Sequence, residues 1–357
     1  MKVALVAAGL GLIVALLGTP MLIRWLRAHK LAQAIRVSVP GELYPEHEGK
    51  RGTPSMGGLA ILAGMLIGYF GGHLILWRPL TASGLLAVYL TVGLGSVGIA
   101  DDYLKIFKQR STGVRARTKL IGQAAVALSF GWLALHFPDA EGLTPASHAI
   151  SVLRNTSIVL PTARVMVWIW FLVTATTNAV NLTDGLDGLA AGAAVMALGA
   201  YTLLALWQYR QNCEFFESTR CYDVRDPLDL AMFAAAIAGA TFGFLWWNTA
   251  PASIFMGDTG SLSLGGAIAA LAILTRTELL LPLLAGLFLI VTLSVIGQVG
   301  SYKLTGRRMF RMAPLHHHFE MLGWAEIQIV VRFWIIQGLF VALGLGLFYA
   351  EWIRRPG

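Results

Sequence analysis

Long apolar runs dominate the chain, and short polar segments separate them. The runs cover roughly residues 3–23, 55–76, 81–100, 119–137, 164–180, 188–207, 229–247, 260–274, 279–300 and 327–350. A helix needs about 20 mostly apolar residues to cross the hydrocarbon core of a bilayer. The pattern therefore predicts an all-α polytopic integral membrane protein with ten transmembrane helices, and we expect residues 1–357 to form a single transmembrane domain.

The distribution of Lys and Arg orients these helices. The loops after the odd-numbered runs contain 16 of these residues, whereas the opposite side, including both tails, contains 10. Because cytoplasmic loops carry an excess of Lys and Arg, we expect the odd-numbered loops to face the cytoplasm. Both termini would then lie on the outer side, periplasmic or extracellular.

Composition supports the membrane assignment and narrows the partners. Apolar residues make up 56% of the chain and charged residues only 13%, which excludes an ordinary soluble domain. The net charge of +8 comes mostly from the excess of Lys and Arg in the predicted cytoplasmic loops. Part of it could attract anionic lipid or a phosphorylated substrate. Nothing beyond that charge favours nucleic-acid binding, and we expect none.

The polar loop 208–228 lies on the predicted outer side and contains both cysteines of the chain, Cys213 and Cys221. In an oxidising compartment two thiols this close in sequence could close a small disulfide loop. Two free thiols are the alternative, and the sequence does not decide between them.

Dense polar clusters all lie on the predicted cytoplasmic side. They fall in the loops at approximately 24–54, 101–118, 178–188, 248–260 and 301–326, whereas the outer loops have no comparable set of Asp, Asn and His. Polar residues near a membrane are costly unless they pair or bind something. The asymmetry indicates that one face of the protein performs chemistry.

The second of these loops begins with two adjacent carboxylates, Asp101 and Asp102. Such a pair suits metal binding or proton abstraction, because adjacent like charges raise one pKa unless a cation offsets them. Lys105 would provide that cation if the segment stays helical. Taken alone, the pair is more typical of a solvated helix end.

The segment 178–189 repeats a polar residue every third position. A helical turn would align these carboxamides and carboxylates along one side, where they could bind a ligand: Asn178, Asn181, Asp184 and Asp187. A polar kink satisfied by neighbouring helices is the alternative.

The segment FMGDTGSL (255–262) places Asp258 after Gly257 and before an apolar run. Glycine lets backbone approach a phosphate, a helix amino terminus favours anions, and Asp258 would be a hard oxygen ligand for Mg²⁺. An Asx cap is the alternative for this turn. Phe255 could stack on a base or simply face the membrane.

Three consecutive histidines, His316, His317 and His318, follow Pro314. Consecutive residues do not share a helix face, and this side has no cysteine, so zinc binding is disfavoured. Hydrogen bonding to phosphate, or acid–base chemistry, fits these residues better.

Four segments, DDYLK (101–105), NLTDGLDGL (181–189), FMGDTGSL and PLHHHFE (314–320), resemble in this order the polyprenyl-phosphate sugar-1-phosphate transferases. Together with GTPSMGG (52–58), the histidine segment resembles one branch, the bacterial phospho-N-acetylmuramoyl-pentapeptide transferases. The likeness extends over nearly the whole chain. The departures are the cysteine-bearing outer loop and Ser55, where the family more often has threonine.

The resemblance implies a Mg²⁺-dependent transferase, generally dimeric, in the bacterial cytoplasmic membrane with its active site facing the cytoplasm. Its substrates would be UDP-N-acetylmuramoyl-pentapeptide and undecaprenyl phosphate, and its products UMP and lipid I. The lipid phosphate could attack the pyrophosphate directly, which we favour because it is a competent nucleophile. A covalent aspartyl intermediate is the other route.

The resemblance also implies residue roles. The catalytic residues would be Asp101, Asp102, Asp258 and His316, with Asp258 as the first metal ligand and Asp101 and Asp102 as further candidates. The substrate-binding residues would be Lys50, Thr53, Lys105, Lys119, Asn178, Asn181, Asp184, Asp187, Asn248, Phe255, Gly257, Gln298, His317 and His318.

Two other functions remain open from the sequence. The first is a UDP-N-acetylglucosamine-1-phosphate transferase of the same superfamily, which the PLHHHFE segment disfavours. The second is a transporter of nucleotide sugars or lipid-linked sugars, but transporters place ionisable residues near the middle of the membrane in both halves, whereas here they collect at one interface.

Overall fold

The computed structural model describes residues 1–29, 52–107, 113–215, 218 and 220–355. Within these ranges the chain forms twelve helices and a single two-stranded antiparallel sheet. The elements, in chain order, are α1 (Lys2–Ala28), α2 (Gly58–Leu76), α3 (Ala82–Phe107), α4 (Ala116–His136), β1 (Ala149–Ser151), β2 (Asn155–Val159), α5 (Thr162–Thr183), α6 (Leu189–Arg210), α7 (Pro227–Asn248), α8 (Gly257–Leu274), α9 (Leu281–Leu284), α10 (Gly286–Thr305), α11 (Leu315–Glu320) and α12 (Glu326–Arg354).

Ten of the helices in the described ranges are long and apolar enough to cross a membrane. Each of them overlaps one of the ten apolar runs, and α9 and α11 are the two helices too short to cross a membrane. The prediction of a polytopic helical membrane protein is therefore confirmed. Which side of the membrane each end faces stays a prediction.

The ninth predicted span is interrupted at Ala285, between α9 and α10. A break in a membrane helix leaves backbone groups that water cannot reach. The side-chain amide of Gln337, on α12, satisfies two of them: its Oε1 accepts a hydrogen bond from the Leu287 N–H at 3.0 Å, and its Nε2 donates to the Leu284 carbonyl at 2.7 Å.

Helix α8 lies at the centre of the bundle, buried along its whole length and packed against α3 and α5. Glycines permit the close approach of its neighbours. A Cβ on Gly98 of α3 would lie 2.3 Å from the Asp258 carbonyl oxygen, and one on Gly58 of α2 would lie 2.1 Å from the Gly260 nitrogen. Small residues allow membrane helices to pack backbone to backbone, and here they bring the amino terminus of α8 against the end of α3.

The opposite end of the bundle contains two features that the apolar pattern does not define. The β1–β2 hairpin is tied to the segment after α8, where a Glu278 carboxylate oxygen accepts hydrogen bonds from Ser151 N–H at 2.7 Å and Ser151 Oγ at 2.5 Å. Burial raises the pKa of Glu278 to about 7. In the loop after α6, Cys213 and Cys221 form a disulfide.

Candidate active site

Three buried carboxylates meet where α3 ends and α8 begins. Asp101 and Asp102 lie in the last two turns of α3, and Asp258 lies in the first turn of α8. Each contributes one oxygen atom to a group in which all three atoms lie within 4.8 Å of one another. The structure thus brings together the two acidic segments that the sequence separates by more than 150 residues.

Asp102 caps α8. Its Oδ1 accepts a hydrogen bond from the Asp258 N–H at 3.0 Å, and its Oδ2 accepts from Thr259 N–H at 2.9 Å and Thr259 Oγ1 at 2.7 Å. The first N–H groups of a helix have no partner within the helix, and a negative charge there is favourable. Asp102 therefore fixes the backbone that carries Asp258.

Two lysines neutralise much of this negative charge. The Lys105 Nζ lies 2.6 Å from Asp101 Oδ2 and 3.1 Å from Asp258 Oδ2. Lys119, from α4, donates to the same Asp258 oxygen at 2.5 Å. The other Asp258 oxygen accepts a hydrogen bond from Asn181 Nδ2 at 2.9 Å. Asp258 is thus the point where α3, α4, α5 and α8 converge.

The donor set fits a hard divalent cation. Carboxylate oxygens are the ligands that Mg²⁺ takes, usually one or two of them together with water and substrate phosphate. Asp101 and Asp258 would offer such an ion the oxygens that now contact lysine ammonium groups, whereas the oxygens of Asp102 accept three hydrogen bonds from the first turn of α8. Lys105 and Lys119 are placed where phosphate oxygens would also approach.

The Asn/Asp stripe divides at the end of α5. Asn178 and Asn181 lie within the helix, whereas Asp184 and Asp187 lie beyond Thr183, where the helix ends. Asn178 does not reach the acidic cluster, because its Nδ2 donates to the Thr174 carbonyl at 2.7 Å and to Gln123 Oε1, on α4, at 3.1 Å.

The two aspartates after α5 have different surroundings. Burial, followed by the charges of Asp258, Asp102 and Asp187, raises the pKa of Asp184 to about 8. Asp187 instead faces the loop after α7, where its Oδ2 accepts a hydrogen bond from the Ala252 N–H at 3.0 Å. The Asp187 side chain therefore connects the segment after α5 to the loop after α7.

That second loop positions Phe255. The Phe255 N–H donates to the Pro54 carbonyl at 2.9 Å, and its carbonyl accepts from the Gly57 N–H at 2.9 Å. Asn248 Nδ2 donates to the Ile254 carbonyl at 3.0 Å, and Gly257 has φ +73°, which favours glycine. Thr53 lies beside this pairing in sequence, and Lys50 lies outside the described residues.

The histidine segment forms α11, and its first histidine is fully buried against the loop after α5. A Cβ on Gly185 would lie 2.3 Å from His316 Nε2, so only glycine leaves room for the ring. Among the described residues neither ring nitrogen of His316 has a hydrogen-bond partner. Burial, followed by the nearby His317, lowers the pKa of His316 to about 3.

The remaining predicted residues of this region organise the loop before α11. Gln298, on α10, holds Phe310: its Oε1 accepts from the Phe310 N–H at 2.8 Å and its Nε2 donates to the Phe310 carbonyl at 3.1 Å. His317 Nδ1 lies 2.5 Å from Glu320 Oε2, and His318 Nδ1 accepts from the Arg311 N–H at 3.1 Å. Both polar atoms of the Gln298 side-chain amide are thus engaged by this loop.

The sequence analysis assigned no role to three residues in or beside the site, although Thr259 lies within the FMGDTGSL segment. Thr259 completes the cap of α8, Gln123 accepts from Asn178, and Glu326 Oε1 accepts a hydrogen bond from the Asp187 N–H at 2.9 Å. Gln123 is one turn after Lys119 on α4, a spacing that could have signalled a shared helix face. No local pattern could have indicated Glu326.

Comparison with known proteins identifies the family of the chain. Residues 84–276 match the family described as glycosyl transferase family 4, and residues 50–62 match the phospho-N-acetylmuramoyl-pentapeptide-transferase signature 1. The first match covers α3 to α8 and all three carboxylates of the cluster. The second covers the segment that pairs with the backbone of Phe255.

Curated relatives match the chain from end to end. Proteins named phospho-N-acetylmuramoyl-pentapeptide-transferase are 55% identical in Kineococcus radiotolerans, 54% in Frankia alni and 52% in Streptomyces avermitilis. Each alignment covers 99% of this chain and 99% of the relative. The chain is therefore a multi-pass bacterial membrane enzyme that belongs to the phospho-N-acetylmuramoyl-pentapeptide transferase family.

Proposed function

We propose that the protein transfers phospho-N-acetylmuramoyl-pentapeptide from its UDP-linked form to undecaprenyl phosphate, releasing UMP and forming lipid I. The observation that carries this proposal is the group of three buried carboxylates with two lysines, at the end of a membrane bundle. The names of the relatives support the muramoyl-pentapeptide as the group transferred. The second candidate, an N-acetylglucosamine-1-phosphate transferase, has no comparable support.

The reaction is a displacement at phosphorus. An oxygen of the lipid phosphate attacks the phosphorus that bears the sugar, the new P–O bond forms, and the bond from that phosphorus to the bridging oxygen breaks. UMP leaves with the bridging oxygen and its electron pair. The lipid phosphate is largely ionised near neutral pH, since its second pKa is about 6. Positioning therefore matters more than a strong base, and direct attack is favoured over a covalent aspartyl intermediate.

The residues of the cluster divide the work. Asp258, with Asp101, would hold Mg²⁺, and that ion would supply positive charge to offset the charge of the pyrophosphate. Lys105 and Lys119 already lie against Asp258 and would contact phosphate oxygens through charge-assisted hydrogen bonds. Asp102 fixes the start of α8 and so sets the position of Asp258.

The donor nucleotide would occupy the region between the loops after α5 and α7. Phe255 would stack on the uracil, and the hydrogen bonds of its backbone to the 54–57 segment would keep the ring in place. Asp184, Asp187, Asn181 and Asn248 would line this region, and Lys50, Thr53 and Gly257 would approach the phosphates. The histidines and Gln298 would form the side that receives the sugar phosphate.

The membrane setting completes the proposal. The loops at the end of the bundle that contains the site have an excess of Lys and Arg. This excess supports a site on the cytoplasmic side of the inner membrane, with both termini on the outer side. A homodimer is proposed on the family resemblance alone.

The experiment is UMP release by detergent-purified protein with undecaprenyl phosphate, Mg²⁺ and either UDP-N-acetylmuramoyl-pentapeptide or UDP-N-acetylglucosamine. We expect turnover with the muramoyl donor only. The Asp258→Asn variant should be inactive, while Asp223→Asn, an exposed carboxylate at the opposite end, should behave as wild type. Turnover with the glucosamine donor would move the protein to the sister branch. If folded protein released no UMP with either donor, the result would contradict the transferase proposal and favour a transporter.

A further inference from the structure

The last membrane helix reaches the proposed nucleotide region although it contains none of the residues predicted to act there. The first residue of α12, Glu326, accepts a hydrogen bond through Oε1 from the backbone N–H of Asp187 at 2.9 Å. Asp187 in turn accepts, through Oδ2, from the backbone N–H of Ala252 at 3.0 Å. Two consecutive hydrogen bonds thus connect α12 to the loop that carries Phe255.

A second contact between α12 and the start of α6 holds Glu326 in place beside Asp187. Trp334 Nε1 donates to the Leu189 carbonyl at 3.3 Å, and its ring fills the space where a Cβ on Gly192 would lie 2.2 Å from the indole. Trp334 follows Glu326 by eight residues, or about 12 Å along the helix axis. Leu189 follows Asp187 by two residues. Two contacts therefore bind α12 to the segment in which α6 begins.

We propose that Glu326 is a positioning residue for the donor nucleotide, acting through Asp187 and the Ala252 N–H on the loop that presents Phe255. The inference rests on the proposed function, because that function makes a uridine nucleotide the ligand of the loop that carries Phe255. Glu326 itself is not placed in contact with the substrate. Its carboxylate sets the position of the Asp187 backbone, and the Asp187 side chain sets the position of residues 252–255.

A positioning role follows from what the Glu326 carboxylate does: it is a hydrogen-bond acceptor for the buried backbone N–H of Asp187. Asp187 is 5% exposed, so its N–H has little access to water once Glu326 is removed. An orphaned buried donor is unfavourable, and the loop would shift to satisfy it. Such a shift changes substrate binding while the carboxylates and lysines of the cluster stay in place.

The test compares Glu326→Ala, which removes the acceptor, with Glu326→Gln, which keeps one. Gln328→Ala is the matched control, an exposed polar residue in the same turn of α12. UMP binding to the purified full-length protein is measured by calorimetry, and kcat and KM for the UDP-linked donor are measured alongside. We expect Glu326→Ala to weaken UMP binding and raise KM by about tenfold, with kcat changed less than about threefold. Glu326→Gln and Gln328→Ala should stay within about threefold of wild type.

Three results would overturn the inference. These are unchanged UMP binding in Glu326→Ala, failure of Glu326→Gln to restore binding, and a loss in Gln328→Ala equal to that in Glu326→Ala. Wild-type protein that neither binds UMP nor turns over would instead contradict the proposed function, so the two failures are distinguishable.

Discussion

The carboxylate of Asp102 accepts a hydrogen bond from the backbone N–H of Asp258 at 3.0 Å, so the end of α3 caps the start of α8. Its neighbour in sequence faces elsewhere: Asp101 accepts from the Val114 N–H at 2.8 Å and pairs with Lys105. Adjacent positions on a helix point about 100° apart, which allows two carboxylates of one dipeptide to perform different tasks. Asp102 organises the start of the helix that carries the proposed metal ligand, whereas Asp101 pairs with the Lys105 ammonium group.

Asp102→Asn is expected to lower stability as well as activity. The amide has one acceptor oxygen where the carboxylate uses two, and its NH₂ group would face a backbone donor of α8. Hydrogen bonds to a charged group contribute roughly 1.5–3 kcal/mol, so we expect a loss of about 2 kcal/mol in the free energy of unfolding. Thermal unfolding in detergent measures it.

Thr259→Val provides the matched control for this cap. It removes only the hydroxyl that donates to Asp102 Oδ2 and keeps the backbone hydrogen bond and the side-chain shape. We expect a loss of about 1 kcal/mol, smaller than that of Asp102→Asn. Wild-type stability in Asp102→Asn would show that the cap is not what holds α8.

Gly185→Ala is expected to displace His316. The added methyl group would lie 2.3 Å from Nε2, and that ring is fully buried. We expect turnover to fall by about 10- to 100-fold, since a misplacement of about 1 Å can reduce rates by two orders of magnitude. UMP release by the variant measures the effect.

The interpretation of Gly185→Ala depends on two comparisons. Gly199→Ala, on α6, adds a methyl group that meets no other part of the described structure within 4 Å beyond its own stretch of helix, and it should remain active. In the His316→Ala background, Gly185→Ala should have little further effect, because the atom it meets is gone. Independent, additive losses in the double variant would exclude the steric account.

The buried His316 predicts a pH dependence of stability. Its pKa is lowered from 6.5 to about 3 by burial, so the unfolded chain binds a proton near pH 6.5 that the folded protein does not bind. Stability should therefore fall as the pH drops below about 6.5, by about 2 kcal/mol between pH 7 and pH 5. Unfolding of the wild type and of His316→Gln at both pH values measures the contribution, and a difference that does not depend on pH would contradict it.

Much of the fold follows from the chain because the bilayer imposes a length on every helix. The runs at 119–137 and 229–247 correspond to Ala116–His136 and Pro227–Asn248, and the differences are confined to the ends. The β1–β2 hairpin lies outside the apolar runs, where that constraint does not apply. The break at Ala285 depends on Gln337, more than 50 residues away, and no local pattern reveals it.

The composition of the site follows from the motifs, but the division of roles does not. Asp101, Asp102 and Asp258 could be singled out from their segments and from the family resemblance, although each segment taken alone also allows a structural explanation. That Asp102 caps α8, and that Gln298 holds the Phe310 backbone, depends on contacts between distant parts of the chain. Asn178 was predicted to bind the ligand, but it lies between α4 and α5, where it contacts Gln123. That contact, too, joins distant parts of the chain.

The central claim is that the carboxylates at the junction of α3 and α8 form a metal-dependent transfer site. The most direct measurement is UMP release from UDP-N-acetylmuramoyl-pentapeptide by metal-depleted protein as Mg²⁺ is added back, for the wild type and Asp258→Asn. We expect no turnover without Mg²⁺, saturable activation of the wild type, and a loss of at least about 100-fold in the variant at every Mg²⁺ concentration. Turnover without added metal, or a variant that reaches the wild-type rate, would contradict it.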